Sequence, residues 1–207
     1  MALGVAEAES VKLTIKQIGD FIWFSAKATG KSYKSPLEAL RAHYSYISSK
    51  AKALFGNFES FLTKAKAELE RLSDARIGLK FYMAVPKDWT PEKAIETVKS
   101  FILERFKVPA ENVILAFHSH PENPHIHVLV FPKRADGKKL RIQPRDLREF
   151  HSAWEKLLIQ QGYRIFRLPD EVSLKKIPIW LIKRDPKLYE SYKQAVSEYK
   201  KMLLAQL

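Results

Sequence analysis

Four histidines between two apolar segments constrain this chain more than any other feature of its sequence. Segment 118–127 reads His-Ser-His-Pro-Glu-Asn-Pro-His-Ile-His, and apolar residues flank it at 113–117 and 128–130. Two apolar segments separated by a short stretch that contains proline and asparagine predict a β-hairpin. The histidines are therefore expected at the facing ends of two paired strands.

The register of this hairpin decides how many of the histidines can meet. A four-residue loop at 121–124 would place His120 opposite His125 and His118 opposite His127. Directly opposed residues point to the same face of a sheet, so all four imidazoles are expected on one patch. Three neutral imidazoles with positions open to water or substrate are typical of a catalytic metal site. The alternatives are a solvated histidine-rich edge and a different hairpin register.

Composition narrows both the ligands and the partner. The chain has no cysteine, which leaves histidine and carboxylate as metal ligands. Imidazole suits Zn, Ni or Mn better than Mg, which prefers oxygen. The formal net charge of +13 favours a polyanionic partner such as nucleic acid, against the alternative of a solvated lysine-rich surface.

The remaining sequence predicts one α+β domain. The 207 residues show no composition break, so a single domain over 1–207 is expected, with about 165–207 as a C-terminal helical extension. We predict a central antiparallel or mixed sheet packed with helices. Predicted strands are 11–16 and 21–26 (as a hairpin), 79–85, 112–120, 125–132, 138–142 and 163–168, and predicted helices are 36–55, 58–72, 91–106, 144–161 and 185 onward. No long apolar run or signal peptide occurs, so a cytoplasmic protein without a membrane segment is expected.

The histidine segment resembles a known motif. Residues 123–130 resemble the His-hydrophobic-His strand of HUH endonucleases, and together with His118 they resemble the third motif of MobP-type conjugative relaxases. The resemblance implies a relaxase-like palm sandwich, metal ligation by His118, His125 and His127, and Mn or Mg as the working ion. His120 stands where the family has aspartate, which suggests a role as a further ligand or base.

A second resemblance lies upstream. Segment 41–47, Arg-Ala-His-Tyr-Ser-Tyr-Ile, resembles the first relaxase motif, which makes Tyr46 the nucleophile. Ser-Ser-Lys follows it where the family often has Arg-Asp-Gly. Tyr44 shares a helical stripe with Leu40 and Ile47, so it is expected to pack and is the weaker candidate. The resemblance covers about 36–162.

These motifs imply a site-specific single-stranded DNA nickase and strand transferase for plasmid mobilisation. The product would be a 5′-phosphotyrosine and a free 3′-hydroxyl, formed at an origin of transfer or a similar hairpin, with accessory mobilisation proteins as possible partners. Tyrosine has an ordinary pKa of about 10, so it needs a base, for which His43 and His120 are hypotheses. The predicted DNA contacts are Arg41, Lys133, Arg134, Lys138, Lys139, Arg141 and Arg145.

Three other interpretations remain open from the sequence. Tyr189, Tyr192 and Tyr199 could supply a C-terminal nucleophile, as in rolling-circle replication initiators and single-tyrosine transposases. A metal-dependent hydrolase would use the histidines to activate water and would form no covalent intermediate. A basic plasmid regulator would bind DNA without cutting it.

Overall fold

A computed structural model describes residues 12–14, 18, 21–25, 33–72, 75–121, 123–166 and 194 of the chain. The chain divides into two compact units, Met1–Ile165 and Phe166–Leu207. Nearly all of the second unit lies outside the described residues, and so do the three C-terminal tyrosines. The helix expected from residue 185 also lies there, apart from Gln194, which is helical.

The described residues form seven strands and four α-helices. The strands are β1 (Lys12–Thr14), β2 (Ile22–Phe24), β3 (Ala53–Phe55), β4 (Gly78–Ala84), β5 (Val113–His118), β6 (His125–Val130) and β7 (Arg164–Phe166). The helices are α1 (Pro36–Ser49), α2 (Phe58–Arg71), α3 (Pro91–Phe106) and α4 (Pro144–Gln160). Five strands pair antiparallel in the order β2-β4-β6-β5-β3, and β1 pairs with β7 in a separate sheet. The predicted α+β class is confirmed.

Helices cover both faces of the five-stranded sheet. Alternate residues of β4, β5 and β6 pack against α3 and α4 in one buried cluster, in which Trp154 and Ile102 are fully buried. The opposite face packs against α1 and α2 through Leu40 and Phe61. Because side chains alternate along a strand, this second face also carries the histidines at the ends of β5 and β6.

Side-chain caps begin three of these helices where the sequence predicts them. The hydroxyl of Ser35 accepts the backbone N–H of Glu38 at 3.1 Å, and that of Thr90 accepts the N–H of Lys93 at 3.2 Å. A proline in the first helical turn follows both caps. Asn57 caps α2 in the same way. These caps satisfy N–H groups that a helix start leaves without partners.

The predicted helix over 36–55 is wrong in its last six residues, 50–55. Helix α1 ends at Ser49, and Ala53–Phe55 forms β3, which pairs with β5. Gly56 then turns the chain with φ 103°, and a Cβ at this position would lie 2.3 Å from the carbonyl oxygen of Val113. Glycine is required at this close approach, so it ends a strand here and does not cap a helix.

Two other predictions of strands are wrong. The segments 11–16 and 21–26 do not form a hairpin, because β1 pairs with β7 while β2 pairs with β4. An alternating pattern indicates a strand but does not determine its partner. The segment 138–142 forms only an isolated bridge, Lys133 to Lys139, since Pro132 has no N–H with which to extend a ladder.

Candidate metal centre and nucleophile

The hairpin that carries the histidines has a different register from the predicted one. His118 pairs with His125, and Ala116 pairs with His127. The connecting loop therefore spans six residues, 119–124, where four were predicted. This register brings three imidazoles together, those of His118, His125 and His127.

His120 is the histidine that this register excludes. The backbone N–H of His120 donates to the carbonyl of His118, and that of Asn123 donates to the carbonyl of His120. The chain thus turns on itself, and the two prolines of the loop, Pro121 and Pro124, offer no N–H for a longer ladder. The exposed His120 is not one of the three clustered ligands, so the predicted convergence of four imidazoles is wrong.

His118, His125 and His127 have the geometry of a metal site. One ring nitrogen of each lies within 4.8 Å of the others. The Nε2 atoms of His125 and His127 are 3.2 Å apart. Two nitrogens that each bind a tetrahedral ion at about 2.0–2.1 Å lie about 3.3 Å apart, so this pair is already at ligand spacing. The three residues fit a divalent metal ion.

Backbone carbonyls orient two of these imidazoles. The Nε2–H of His118 donates to the carbonyl of Ile47 at 2.7 Å, so its Nδ1 keeps the free lone pair. The Nδ1–H of His125 donates to the carbonyl of Asn123 at 2.8 Å, which leaves Nε2 as its ligand atom. Ile47 lies in the last turn of α1, where carbonyls have no partner within the helix. The ligands are thus held as metal-binding histidines generally are.

Tyr46 lies beside the three histidines. Its ring centroid is 6.4 Å from that of His118 and 6.1 Å from that of His127. Half of its surface is exposed, and the ammonium of Lys50 lies 4.9 Å from its ring centroid. Tyr44, by contrast, stacks on Phe58 of α2 at 3.8 Å, as expected for a packing residue.

His43 and Lys80 lie deeper in the same site. The His43 ring lies 5.6 Å from Phe24 and 6.1 Å from His127, and its Nε2 is buried without a hydrogen-bond partner. Burial and the nearby Lys80 ammonium lower the pKa of His43 to about 4. Such an imidazole is neutral at pH 7 but a weak base. Lys80 is not among the residues predicted from the sequence, because a single lysine in a strand carries no signal.

The metal-free protein is expected to lose stability on acidification below pH 6.5. Burial, and secondarily the neighbouring histidines and Lys80, lower the pKa of His127 to about 3. Both His43 and His127 therefore have folded-state pKa values below the unfolded value of about 6.5. The unfolded chain then binds more protons, so the free energy of unfolding falls as the pH drops from 6.5 towards 4.

Urea unfolding in EDTA between pH 7.5 and 4.5 measures this loss. His43→Leu removes one of the histidines whose pKa is lowered and should flatten the pH dependence, and His120→Leu, at an exposed position, is the matched control. Parallel curves for all three proteins would show that His43 titrates normally in the folded state.

Five of the predicted DNA contacts lie in the loop after β6, away from the histidines. His118 and His125 pair at one end of the β5–β6 ladder, and Val113 and Val130 pair at the other. Five residue steps along a strand span about 16 Å. The loop after β6, with Lys133, Arg134, Lys138, Lys139 and Arg141, therefore begins at the far end of the sheet.

A basic cleft of about 720 Å³ lies at this far end. Its basic lining residues are Arg134, Lys138, Lys139 and Arg141, together with Arg105 and Lys107 at the end of α3. The last two are not among the predicted residues, since only the packing of α3 brings them to this loop. Arg41 on α1 and Arg145 on α4 are exposed and are not lining residues of the cleft.

The comparisons with known proteins agree with the motifs. A family model described as the MobA/MobL family matches residues 31–161, well over half of the chain. The chain belongs to the MobA/MobL family. The inferred resemblance to MobP-type relaxases is thereby confirmed. In the described part of this MobA/MobL chain, no helix is long and apolar enough to cross a membrane.

The chain is also similar to one relative from another organism and to part of one solved structure. The conjugal transfer protein TraA of Agrobacterium fabrum is 31% identical over 84 residues, which cover 40% of this chain and 8% of TraA. A structure titled "Molecular Basis of Vancomycin Resistance Transfer in Staphylococcus aureus" is 20% identical with a TM-score of 0.35, over 51% of this chain and 64% of that chain. The chain thus spans a small part of TraA. The MobA/MobL match contains the three clustered histidines and Tyr46, whereas residues 166–207 lie beyond it.

Proposed function

We propose that this MobA/MobL chain cuts single-stranded DNA at an origin of transfer and retains the cut strand on Tyr46. The observation that carries the proposal is the position of Tyr46, whose ring lies within 6.4 Å of two of the three clustered imidazoles. An exposed tyrosine beside a metal-binding triad has access to both a DNA strand and its phosphate. Tyr44, whose ring is stacked on α2, lacks this access.

The reaction exchanges one phosphodiester for another. The Tyr46 oxygen bonds to phosphorus, the bond between phosphorus and the 3′ oxygen breaks, and that oxygen takes a proton to become a 3′-hydroxyl. The phenol proton leaves to solvent or to a base. The phosphodiester is exchanged and not hydrolysed, so the 3′-hydroxyl can attack the phosphotyrosine in the reverse reaction and reseal the strand.

His118, His125 and His127 would hold a divalent ion, for which we propose Mn or Mg, with Zn and Ni as alternatives. When bound, the ion supplies positive charge to the phosphate and to the departing 3′ oxygen. The chain's own cations act in the same direction. The ammonium of Lys50 lies 4.9 Å from the centroid of the Tyr46 ring, so its positive charge attracts a phosphate that approaches this tyrosine. His43, with its pKa lowered to about 4, is a weak base for the phenol proton at pH 7, so the proposal does not depend on it.

Incubation with labelled single-stranded origin DNA and Mn²⁺ tests the proposal. We expect a covalent adduct that peptide mass mapping places on Tyr46. An adduct on Tyr189, Tyr192 or Tyr199 would instead indicate a C-terminal nucleophile, as in rolling-circle replication initiators and single-tyrosine transposases. Cleavage without an adduct would indicate a hydrolase, and binding without cleavage would indicate a regulator.

The basic cleft is proposed to hold DNA several nucleotides from the cut. Lys138→Gln with Lys139→Gln should weaken DNA binding and lower the slope of log affinity against log salt by about 1.4, at about 0.7 per single-strand phosphate. Cleavage at saturating DNA should stay unchanged, because the cleft begins about 16 Å from the histidines.

A matched control removes the same charge elsewhere. Lys93→Gln with Lys156→Gln alters exposed positions on α3 and α4 that are not lining residues of the cleft, and it should leave the salt slope unchanged. Equal losses for the two double variants would mean that only net charge matters.

A further inference from the structure

Lys80 is a half-buried cation within the histidine site. Tyr82 pairs directly with His127 across β4 and β6, and Lys80 lies two residues from Tyr82 on the same sheet face. Diagonal neighbours on one face are about 7–8 Å apart, which a lysine side chain can span. The ammonium lies 5.2 Å from the centroid of the Phe24 ring. The Phe24 ring in turn lies 5.6 Å from that of His43, so the ammonium and His43 contact the same aromatic ring.

No anion in the described part of the chain balances this charge. Lys80 takes part in no ion pair between described residues, whereas seven other basic side chains of the described part do. Burial lowers the pKa of its ammonium. The charged groups that shift the pKa values of His43 and His127 are Lys80 and other histidines, without any described carboxylate.

Burial of a charge without a partner lowers the free energy of unfolding, so a lysine at this position does not stabilise the fold. The cost is offset when an anion enters the site and pairs with it. The metal ligands are neutral imidazoles, and the entering DNA carries one negative charge on each phosphate. Under the proposed function a phosphate would enter between Tyr46 and His127, on the same face of the sheet as Lys80.

We propose that Lys80 is a further catalytic residue, whose ammonium contacts the phosphate that is transferred to Tyr46. This inference rests on the proposed function. The contact orients the phosphate by a charge-assisted hydrogen bond and stabilises the negative charge that its oxygens carry during transfer. No proton needs to move to or from Lys80.

Lys80→Met removes the charge and keeps the length of the side chain. We expect cleavage at saturating DNA to slow by about a hundred-fold, and DNA binding in EDTA to weaken by about ten-fold. Mn²⁺ affinity should be unchanged or higher, because a positive charge near the ion has been removed. A merely structural role for Lys80 would lower Mn²⁺ affinity and leave DNA binding in EDTA intact, and that result would overturn the inference.

The absence of cysteine allows a second test that does not depend on how Lys80→Met folds. Lys80→Cys carries the sole thiol of the chain. Alkylation with bromoethylamine rebuilds an ammonium at this position, whereas iodoacetamide adds a neutral group of similar size. We expect the first reagent to restore at least ten-fold more cleavage than the second. Equal rates with both reagents would overturn the inference.

Failure here is distinguishable from failure of the proposed function. If the wild-type protein forms the Tyr46 adduct and Lys80→Met forms it equally fast, only the role of Lys80 is refuted. If the wild-type protein forms no adduct, the ten-fold loss of DNA binding in EDTA still tests the phosphate contact. Unchanged binding in that case would refute the contact as well.

Discussion

Replacing Tyr46 with phenylalanine is expected to abolish the covalent adduct and to slow strand cleavage by roughly ten-thousand-fold or more. The change removes one oxygen, the atom that would bond to phosphorus, and keeps the ring beside His118 and His127. DNA affinity and Mn²⁺ affinity should therefore stay close to those of the wild type. Denaturing gels with labelled DNA measure the adduct, and quenched-flow sampling measures the rate.

Tyr44→Phe is the matched control for this experiment. It removes the phenol oxygen of a tyrosine two residues away, and the ring that remains can keep its stack on Phe58. We expect cleavage within a few-fold of the wild-type rate. If Tyr44→Phe lost the adduct and Tyr46→Phe kept it, Tyr44 would be the nucleophile and Tyr46 would not. Retention in both variants would move the nucleophile to another residue.

Replacing His127 with alanine is expected to lower Mn²⁺ affinity by roughly a hundred-fold or more, because one of three ligands is lost. Cleavage at low Mn²⁺ should fall at least in proportion. The His125 and His127 nitrogens are 3.2 Å apart, so loss of either removes a preformed pair of donors. Isothermal titration with Mn²⁺ measures the affinity, and circular dichroism verifies that the variant is folded.

His120→Ala is the control for this series. His120 is near the triad in sequence but is exposed and outside the cluster, so its loss should leave Mn²⁺ affinity within a few-fold of the wild type. A similar loss in His120→Ala and His127→Ala would mean that the loop rearranges to make His120 a ligand. An unchanged affinity in His127→Ala would refute the metal site.

Local patterns in the sequence were sufficient to predict the starts of the four helices and the α+β class, but not the end of α1. Ser35 and Thr90 mark helix starts because capping depends on residues within one turn. The apolar segments around the histidines predict paired strands for the same reason. The three clustered histidines were singled out as candidate metal ligands through the family motif, since the residues alone predicted a convergence of four.

Features set by distant contacts were not predictable. The hairpin register depends on how residues 119–124 turn, and a slip of two positions moved His120 out of the cluster. Strand β3 forms because β5 offers it an edge, which no pattern in 53–55 indicates. Lys80 joins the site only through the pairing of β4 with β6. In each case the deciding partner is more than thirty residues away or lies in an irregular loop.

The hydrogen bond from His118 to the Ile47 carbonyl joins groups that are 71 positions apart in the chain. During synthesis α1 leaves the ribosome well before β5 and β6, and ordering such distant segments carries a loop-closure cost that local contacts avoid. Tyr46 and the three clustered histidines can therefore meet only after both strands of the hairpin have emerged and the sheet has formed. A nascent or truncated chain would carry Tyr46 without the three histidines beside it, so the proposed strand cutting would arise late in folding, as a property of the completed domain.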